Sequence, residues 1–377
     1  MSDETRDDTG EPKGQRPGAA RPGLSDVAAR AGVGIATVDR VLNERGNVSP
    51  ATARKVIEAA RDLGLPRILP RPYRRGVRIG VVMARRETPF AERVSAAFLR
   101  VGATLDRSVI IQRSFVDETR PREVAEHLAS TNADALIIYG QEQLAIIDAV
   151  RALAARGIPV VTMISDIPTS PRLAYVGIDH YSAGRTAAFF MARMARRSGP
   201  VLVLCHSYDY RAHAERVSGF TDGLRDHAPE MTILDVIEGH DRQAESEALV
   251  LDRIGGAPDE IVGIYNTGGA NRAVDKAIGQ VAWQQRPVFI GHELSIHTAR
   301  MLSTGVMTLA IDQNPEEQAR RAVDVLLRRF GHSDTPPEAN DVAFTIFGPE
   351  NIPPAEESTE TGLSLPGKPG EGPTSVP

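Results

Sequence analysis

Thr37, Arg40 and Asn43 stand three residues apart, so a helix through them presents all three near one face. A hydroxyl, a guanidinium fork and a carboxamide suit phosphate oxygens and the edges of base pairs. Val38, Val41 and Leu42 fall on the other side at helical spacing, which predicts a helix from Thr37 to about Asn43. Before it, Ser25 is placed to cap a helix whose apolar face is Val27, Ala28 and Ala31. Gly32 and Val33 then form a tight turn, the glycine for a left-handed backbone and the valine as a buried plug. After it, Ser49-Pro50 supplies a cap and first-turn proline for a third helix with Val56, Ile57, Ala60 and Leu63 inside, ended by Gly64. Helix, tight turn and helix with a polar outer face is the geometry that lays a helix in the DNA major groove.

Other chemistry finds no such pattern. The histidines lack metal-ligand spacing, no phosphate-cradling glycine loop follows a strand, and there is no Gly-x-Ser-x-Gly elbow. His206 and His213 read as loop or helix residues, and Trp283 as packing at a helix end. Cys205, the one cysteine, lies in the apolar run VLVLCH and reads as a buried strand residue. The expectation is therefore no catalytic residue, no metal and no cofactor. An α/β enzyme with a DNA-binding appendage would need a nucleophile–base pair or a metal cluster.

The net charge of −5 over 377 residues argues against nucleic acid until its distribution is read. Residues 12 to 76 carry 13 Lys or Arg against 5 Asp or Glu, whereas residues 1 to 11 carry 1 against 5. A basic module on an acidic body suits a protein that meets phosphate at one end. The first 22 residues are polar and rich in Gly and Pro, without the apolar stretch of a signal peptide, and no run of about 18 apolar residues is present. A cytoplasmic protein with no membrane association is expected, with disorder in 1–22 and in the tail 351–377. A basic, proline-broken linker occupies 67–76 between a headpiece at 23–66 and a core at 77–350.

From Val77 onward, apolar runs at 77–83, 108–115, 133–140, 158–165, 199–206, 260–266, 287–293 and 306–312 alternate with amphipathic segments. This texture predicts α/β architecture in doubly wound parallel layers. The runs are too many for one sheet, so two sheets in two lobes with a cleft between them are expected.

DVAARAGVGIATVDRVLN followed by VSPATARKVIEAARDLG closely resembles the headpiece of the lactose-repressor family of bacterial transcription regulators, and the resemblance runs on to about residue 350. It implies a helix-turn-helix headpiece plus a core like a periplasmic binding protein, two lobes joined by three crossing strands. Lobe 1 would comprise about 77–180 and 289–312, and lobe 2 about 181–288 and 313–350. It implies DNA contacts by Ser25, Thr37, Arg40, Asn43, Ser49 and Thr52, with Ile35 and Ala36 at the variable start of the recognition helix. Asp39 departs from the family's usual serine; a carboxylate facing phosphate repels it, so Asp39 is expected to turn toward Arg40 or a base edge. The linker RILPRPYRRG also departs, lacking the hinge helix of many members.

In the cleft, the resemblance implies ligand contacts by Phe90, Arg216, Asn266, Glu293 and Gln313. Phe90 in Thr88-Pro89-Phe90 faces ligand or belongs to the core. Arg216 in RVSGF is an effector contact or a surface helix charge. Asn266 binds ligand or only caps a helix. Glu293 in IGHELS is one methylene longer than the family's aspartate. Asp166 sits in a post-strand loop two residues out of register, and Gln141 with Glu142 follows the strand ALIIYG near the mouth. Expected partners are double-stranded operator DNA, a sugar or polyol effector and a second copy of the chain, each subunit presenting a headpiece to half a palindrome. A protein that only carries solute is the rival reading.

Overall fold

The computed structural model describes residues 22–46, 48–65, 76–84, 88–256, 258–333 and 341–354. The expected N-terminal disorder, most of the linker and nearly all of the tail lie outside the described residues.

Three helices form the headpiece: α1 (Leu24–Ala31), α2 (Ile35–Leu42) and α3 (Pro50–Asp62). Val27, Val38 and Val56 are fully buried where the three meet. Gly32 adopts φ +67° at the turn, as its position requires. Ser49 caps α3, its Oγ accepting the Thr52 amide at 3.2 Å. Ser25 does not cap α1. Gly23 holds that position, and its amide donates to Asp26 Oδ2 at 2.7 Å, which leaves Ser25 exposed in the first turn. Helix α2 also begins two residues before the expected start, so Ile35 and Ala36 are its exposed first turn.

The core contains two sheets. The first has strand order β2-β1-β3-β4-β5, all parallel, from β1 (Val77–Ala84), β2 (Val109–Val116), β3 (Ala135–Tyr139), β4 (Val160–Met163) and β5 (Ala174–Val176). The second has order β11-β10-β9-β8-β6-β7, from β6 (Pro200–Cys205), β7 (Thr232–Glu238), β8 (Gly263–Asn266), β9 (Val288–His292), β10 (Leu309–Asp312) and the antiparallel β11 (Thr345–Phe347). Helices α4 (Pro89–Thr104), α5 (Pro121–Ala129) and α6 (Leu144–Ala155) cover the first sheet. The second carries α7 (His180–Met194), α8 (Arg211–His227), α9 (Gln243–Gly255), α10 (Asn271–Gly279) and α11 (Ile296–Ser303).

This topology corrects the expected lobe boundaries. Strands β9 and β10 pair with β8 and with each other, so 289–312 belongs to the second sheet and not the first. The reason is connection length: a strand leaving through one short helix returns parallel beside its neighbour in the same sheet. The next helix, α12 (Pro315–Arg329), instead packs on α4, β4 and β5 of the first lobe, so 313–329 also changes sides. The chain therefore changes lobe near residue 178, at 313–314 and again after α12. The first and third passages touch, with the Val342 amide donating to the Gly177 carbonyl at 2.8 Å. The core also extends past the expected start of the tail. Asn351 closes a turn on Gly348 and Ile352 packs on the second lobe.

Two glycines set the spacing of α7 and α8. A Cβ on Gly184 would lie 2.1 Å from the Arg216 carbonyl, and one on Gly219 2.1 Å from the Tyr181 carbonyl. Backbone can meet backbone only because neither residue has a side chain. Gly184→Ala is expected to force the helices apart and destabilise the protein by about 1–3 kcal/mol, as overpacking does. Urea unfolding checks this, and an unchanged midpoint would contradict the close approach.

Candidate functional site

The strands of both sheets point their C-terminal ends at the interlobe cleft, where ligands bind in open α/β sheets. Tyr139 ends β3, Ser165 follows β4, Asn266 ends β8, His292 ends β9 with Glu293 next after it, and Gln313 follows β10. Direct bonds cross between the lobes. The Glu142 amide donates to the Asp209 carbonyl at 3.0 Å, and the Ala212 amide to Ser165 Oγ at 3.2 Å. Arg93 on α4 donates to the Leu294 carbonyl at 2.8 Å, and also bonds Asp312 and Glu316. Burial opposes its charge, yet these carboxylates raise its pKa.

Arg216 occupies the centre. Only 3% of it is exposed, so it is not a surface helix charge. Its Nε donates to His180 Nδ1 at 3.1 Å and its Nη1 to the Thr267 carbonyl at 2.7 Å, whereas Nη2 has no hydrogen-bond partner. No carboxylate of the described residues forms an ion pair with it. His180 is fixed as the Nε2–H tautomer, because Nδ1 accepts from Arg216 while Nε2 faces the Ile164 carbonyl at 2.5 Å. Burial and then the Arg216 charge hold His180 and His292 well below the ordinary histidine range, and take His213 down to about 3. All three rings are neutral at physiological pH.

Glu293 has φ +71°, which turns its side chain back from the end of β9 toward the crossover. Its Oε1 accepts from Gln313 Nε2 at 2.5 Å; Oε2 is buried without a hydrogen-bond partner, 4.0 Å from Arg93 Nη1. Burial pushes this carboxyl up to about 8; Asp312 adds to the push, and Arg216 and Arg93 oppose it. Gln313 is anchored in turn beside Gln318, whose Nε2 donates to the Gln313 carbonyl at 2.7 Å.

The remaining residues divide. Gln141 is buried and donates to the Glu118 carbonyl at 3.2 Å, lining a narrow crevice with Tyr139 and Tyr210. Phe90 is half-buried against the interlobe core, in the first turn of a helix capped by Thr88. Asn266 is committed to its own loop: its Oδ1 accepts from Gly268, and its Nδ2 donates to the Gly268 carbonyl and to Asn271 Oδ1 at 2.7 Å. Asp166 is not brought to the others. Its carboxylate is saturated by Arg172, Thr162 and the Ile167 amide inside the first lobe; burial opposes its charge, but these bonds lower its pKa. Cys205 is buried, which pushes its thiol up to about 12.

Sequence reasoning missed Tyr139, His180 and His292. Tyr139 Oη and His292 Nδ1 are both buried without a hydrogen-bond partner. Each lies at or beyond a strand end, and that position was the only signal available in the sequence.

On the headpiece, Ile35, Ala36, Arg40 and Ser49 are exposed, and Thr37, Asn43 and Thr52 half-exposed. Asp39 does not turn to Arg40. It accepts from Asn43 Nδ2 at 2.6 Å and from Arg45 Nη1 at 2.9 Å, because both donors lie one turn or more toward the helix C-terminus.

A carboxyl whose pKa is raised on folding contributes stability that is complete below its ordinary value of 4.5 and lost as pH rises through about 8. Glu293→Gln removes that loss. Its stability relative to the parent is expected to grow across this window by up to about 1.4 kcal/mol per pH unit, and to level off above it. Urea unfolding from pH 4 to 9 checks the trend, and a difference independent of pH would contradict it.

Comparison with known proteins agrees with this layout. Residues 79–331 match a periplasmic binding protein domain, and residues 23–65 match bacterial regulatory proteins of the lacI family. Catabolite control protein A of Streptococcus mutans is 25% identical over 209 residues, 54% of this chain and 60% of that protein. The sucrose operon repressor of Pediococcus pentosaceus is 29% identical over 167 residues, 44% and 49% of the two. The chain thus spans about half the length of these curated relatives. Among solved structures, the glucose-galactose binding protein GanP of Geobacillus stearothermophilus superposes with a TM-score of 0.65 at 21% identity, over 73% of this chain and 99% of that one. A solute-binding protein of Agrobacterium vitis with bound D-fucose gives 0.67 at 18%, over 74% and 97%. No helix among the described residues is long and apolar enough to cross a membrane. The chain belongs to the periplasmic binding protein domain family, and its residues 23–65 form a helix-turn-helix domain of the kind found in bacterial regulatory proteins of the lacI family.

Proposed function

We propose that the protein is a sequence-specific DNA-binding regulator, acting as a repressor, whose operator affinity is set by a small polyhydroxylated ligand held between the lobes. The observation that carries this reading is the pairing of a lacI-family headpiece with a buried, incompletely bonded Arg216 at the meeting point of two hinged lobes. Relatives named for catabolite control and for a sucrose operon support a link to sugar.

In this reading α2 lies in the major groove. Arg40 forks onto a guanine edge, Ile35 and Ala36 meet thymine methyl groups, and Ser25, Thr37, Asn43, Ser49 and Thr52 grip phosphate. Asp39 is neutralised by Arg45, so its carboxylate does not face phosphate alone. Two copies present two headpieces to a near-palindrome. Arg216, Glu293, Gln313, Gln141 and Phe90 line the ligand site, and Asn266 shapes the loop beside it. Ligand shifts the lobes between arrangements only as far as its affinities for the two differ.

The test is fluorescence anisotropy with the full chain and duplexes from upstream of its own neighbouring genes. Binding is expected to favour one pseudo-palindrome strongly over random duplex and to weaken steeply with salt. Equal, weak binding to every duplex at low salt would overturn the reading. Arg40→Ala is expected to cost about 1–3 kcal/mol of operator affinity and to relax preference at one base pair. A uniform loss across all sequences would assign Arg40 to phosphate.

A further inference from the structure

Among the buried polar atoms without partners near the cleft are four: Arg216 Nη2, His292 Nδ1, Tyr139 Oη and Glu293 Oε2. They form one electrostatic cluster. Tyr139 feels Glu293, and both Glu293 and His292 feel Arg216. Two of the four are donors by constitution, since a guanidinium accepts nothing and a tyrosine hydroxyl has a proton to give.

His292 is a donor by circumstance. His292 Nε2 lies 2.8 Å from the Tyr265 hydroxyl, whose proton has that ring nitrogen as its acceptor. The ring proton therefore sits on Nδ1, pointing at nothing. Glu293, pushed up to about 8 by burial, accepts from Gln313 at Oε1 and leaves Oε2 unbonded. Arg216 Nη2, Tyr139 Oη and His292 Nδ1 are thus donors at the cleft that the chain leaves unbonded.

The charge balance agrees. Arg216 is bonded only to a neutral imidazole and a backbone carbonyl. A buried guanidinium that no carboxylate bonds loses solvation that no ion pair returns. A neutral polyol brings acceptors but no charge, whereas an oxyanion offers acceptors and charge together.

We infer that the interlobe ligand is an acid: a polyhydroxylated molecule whose carboxylate or phosphate oxyanion is bound by Arg216, with His292 and Tyr139 donating to the same group. The inference rests on the reading above that the cleft binds a small polyhydroxylated ligand, and narrows its class.

The experiment is isothermal titration of the full chain with matched sets of hexoses and pentoses, each as neutral sugar, sugar carboxylate and sugar phosphate. Binding of a carboxylate or a phosphate at least about 100-fold tighter than its neutral parent is expected, and the arm that responds identifies the oxyanion. Equal or preferential binding of a neutral sugar overturns the inference while leaving a sugar-binding cleft intact. No binding of any member overturns the sugar-type reading and the inference with it. With the acid that binds, Arg216→Gln is expected to weaken affinity about 100-fold or more, as loss of one partner of a buried charge pair does. Tyr139→Phe, which removes one hydroxyl and keeps the packing, is expected to weaken it about tenfold. Retention of full affinity by a folded Tyr139→Phe would remove Tyr139 from the site.

Discussion

A guanidinium shut between two lobes is the constraint around which the core is arranged. Arg216 can be there only because Gly184 and Gly219 let α7 and α8 meet backbone to backbone. Once there, it dictates its surroundings. Three imidazoles are held neutral by burial and by its charge, and a loop carbonyl at Thr267 turns in to accept from it. A fold selected only for stability would replace such a group with an apolar one, since buried charges seldom improve on well-packed hydrocarbon. Its place at the lobe boundary is explained by a ligand that completes its bonding.

The hinge connects this centre to the rest of the molecule. Arg93 leaves α4 of the first lobe and reaches the Leu294 carbonyl and Asp312 of the second. Asp312 also accepts the Leu294 and Asn314 amides, so the same carboxylate organises the end of β10 and the crossover into α12. Glu293 sits between Arg93 and Gln313 in this network. A group that bonds Glu293 acts on the joint between lobes as well as on the cleft, which gives a ligand a physical route to lobe geometry. Coupling of this kind is a difference in binding free energy between two arrangements and needs no separate wire.

Much of this was legible in the sequence. The headpiece follows from its apolar spacing, its left-handed Gly32 and the Ser49-Pro50 cap. Eight strands announce themselves as apolar runs, most of them because inner parallel strands are covered on both faces; β2, at a sheet edge, shows through its Val109-Ile110-Ile111 start. Strand β7, TILDVIE, was not legible, since an edge strand with one exposed face reads as a mixed segment. Strands β5 and β11 are three residues each, too short to carry a period. Lobe membership failed at 289–329 because periodicity marks strands without saying which sheet they join; the short crossovers held the answer. In the site, Arg216, Glu293 and Gln313 were legible from their motif. Asp166 failed because a local partner, Arg172, satisfies it first. The neutral histidines failed because a lone His at a strand end has no spacing to betray it.

Everything here turns on linkage between cleft and headpiece. The most direct measurement is the ligand's dissociation constant for the full chain with and without saturating operator duplex. The account predicts a change equal to the factor by which the same ligand alters operator affinity, as reciprocity demands. Identical constants in the two titrations, beside intact binding of both partners, would contradict it.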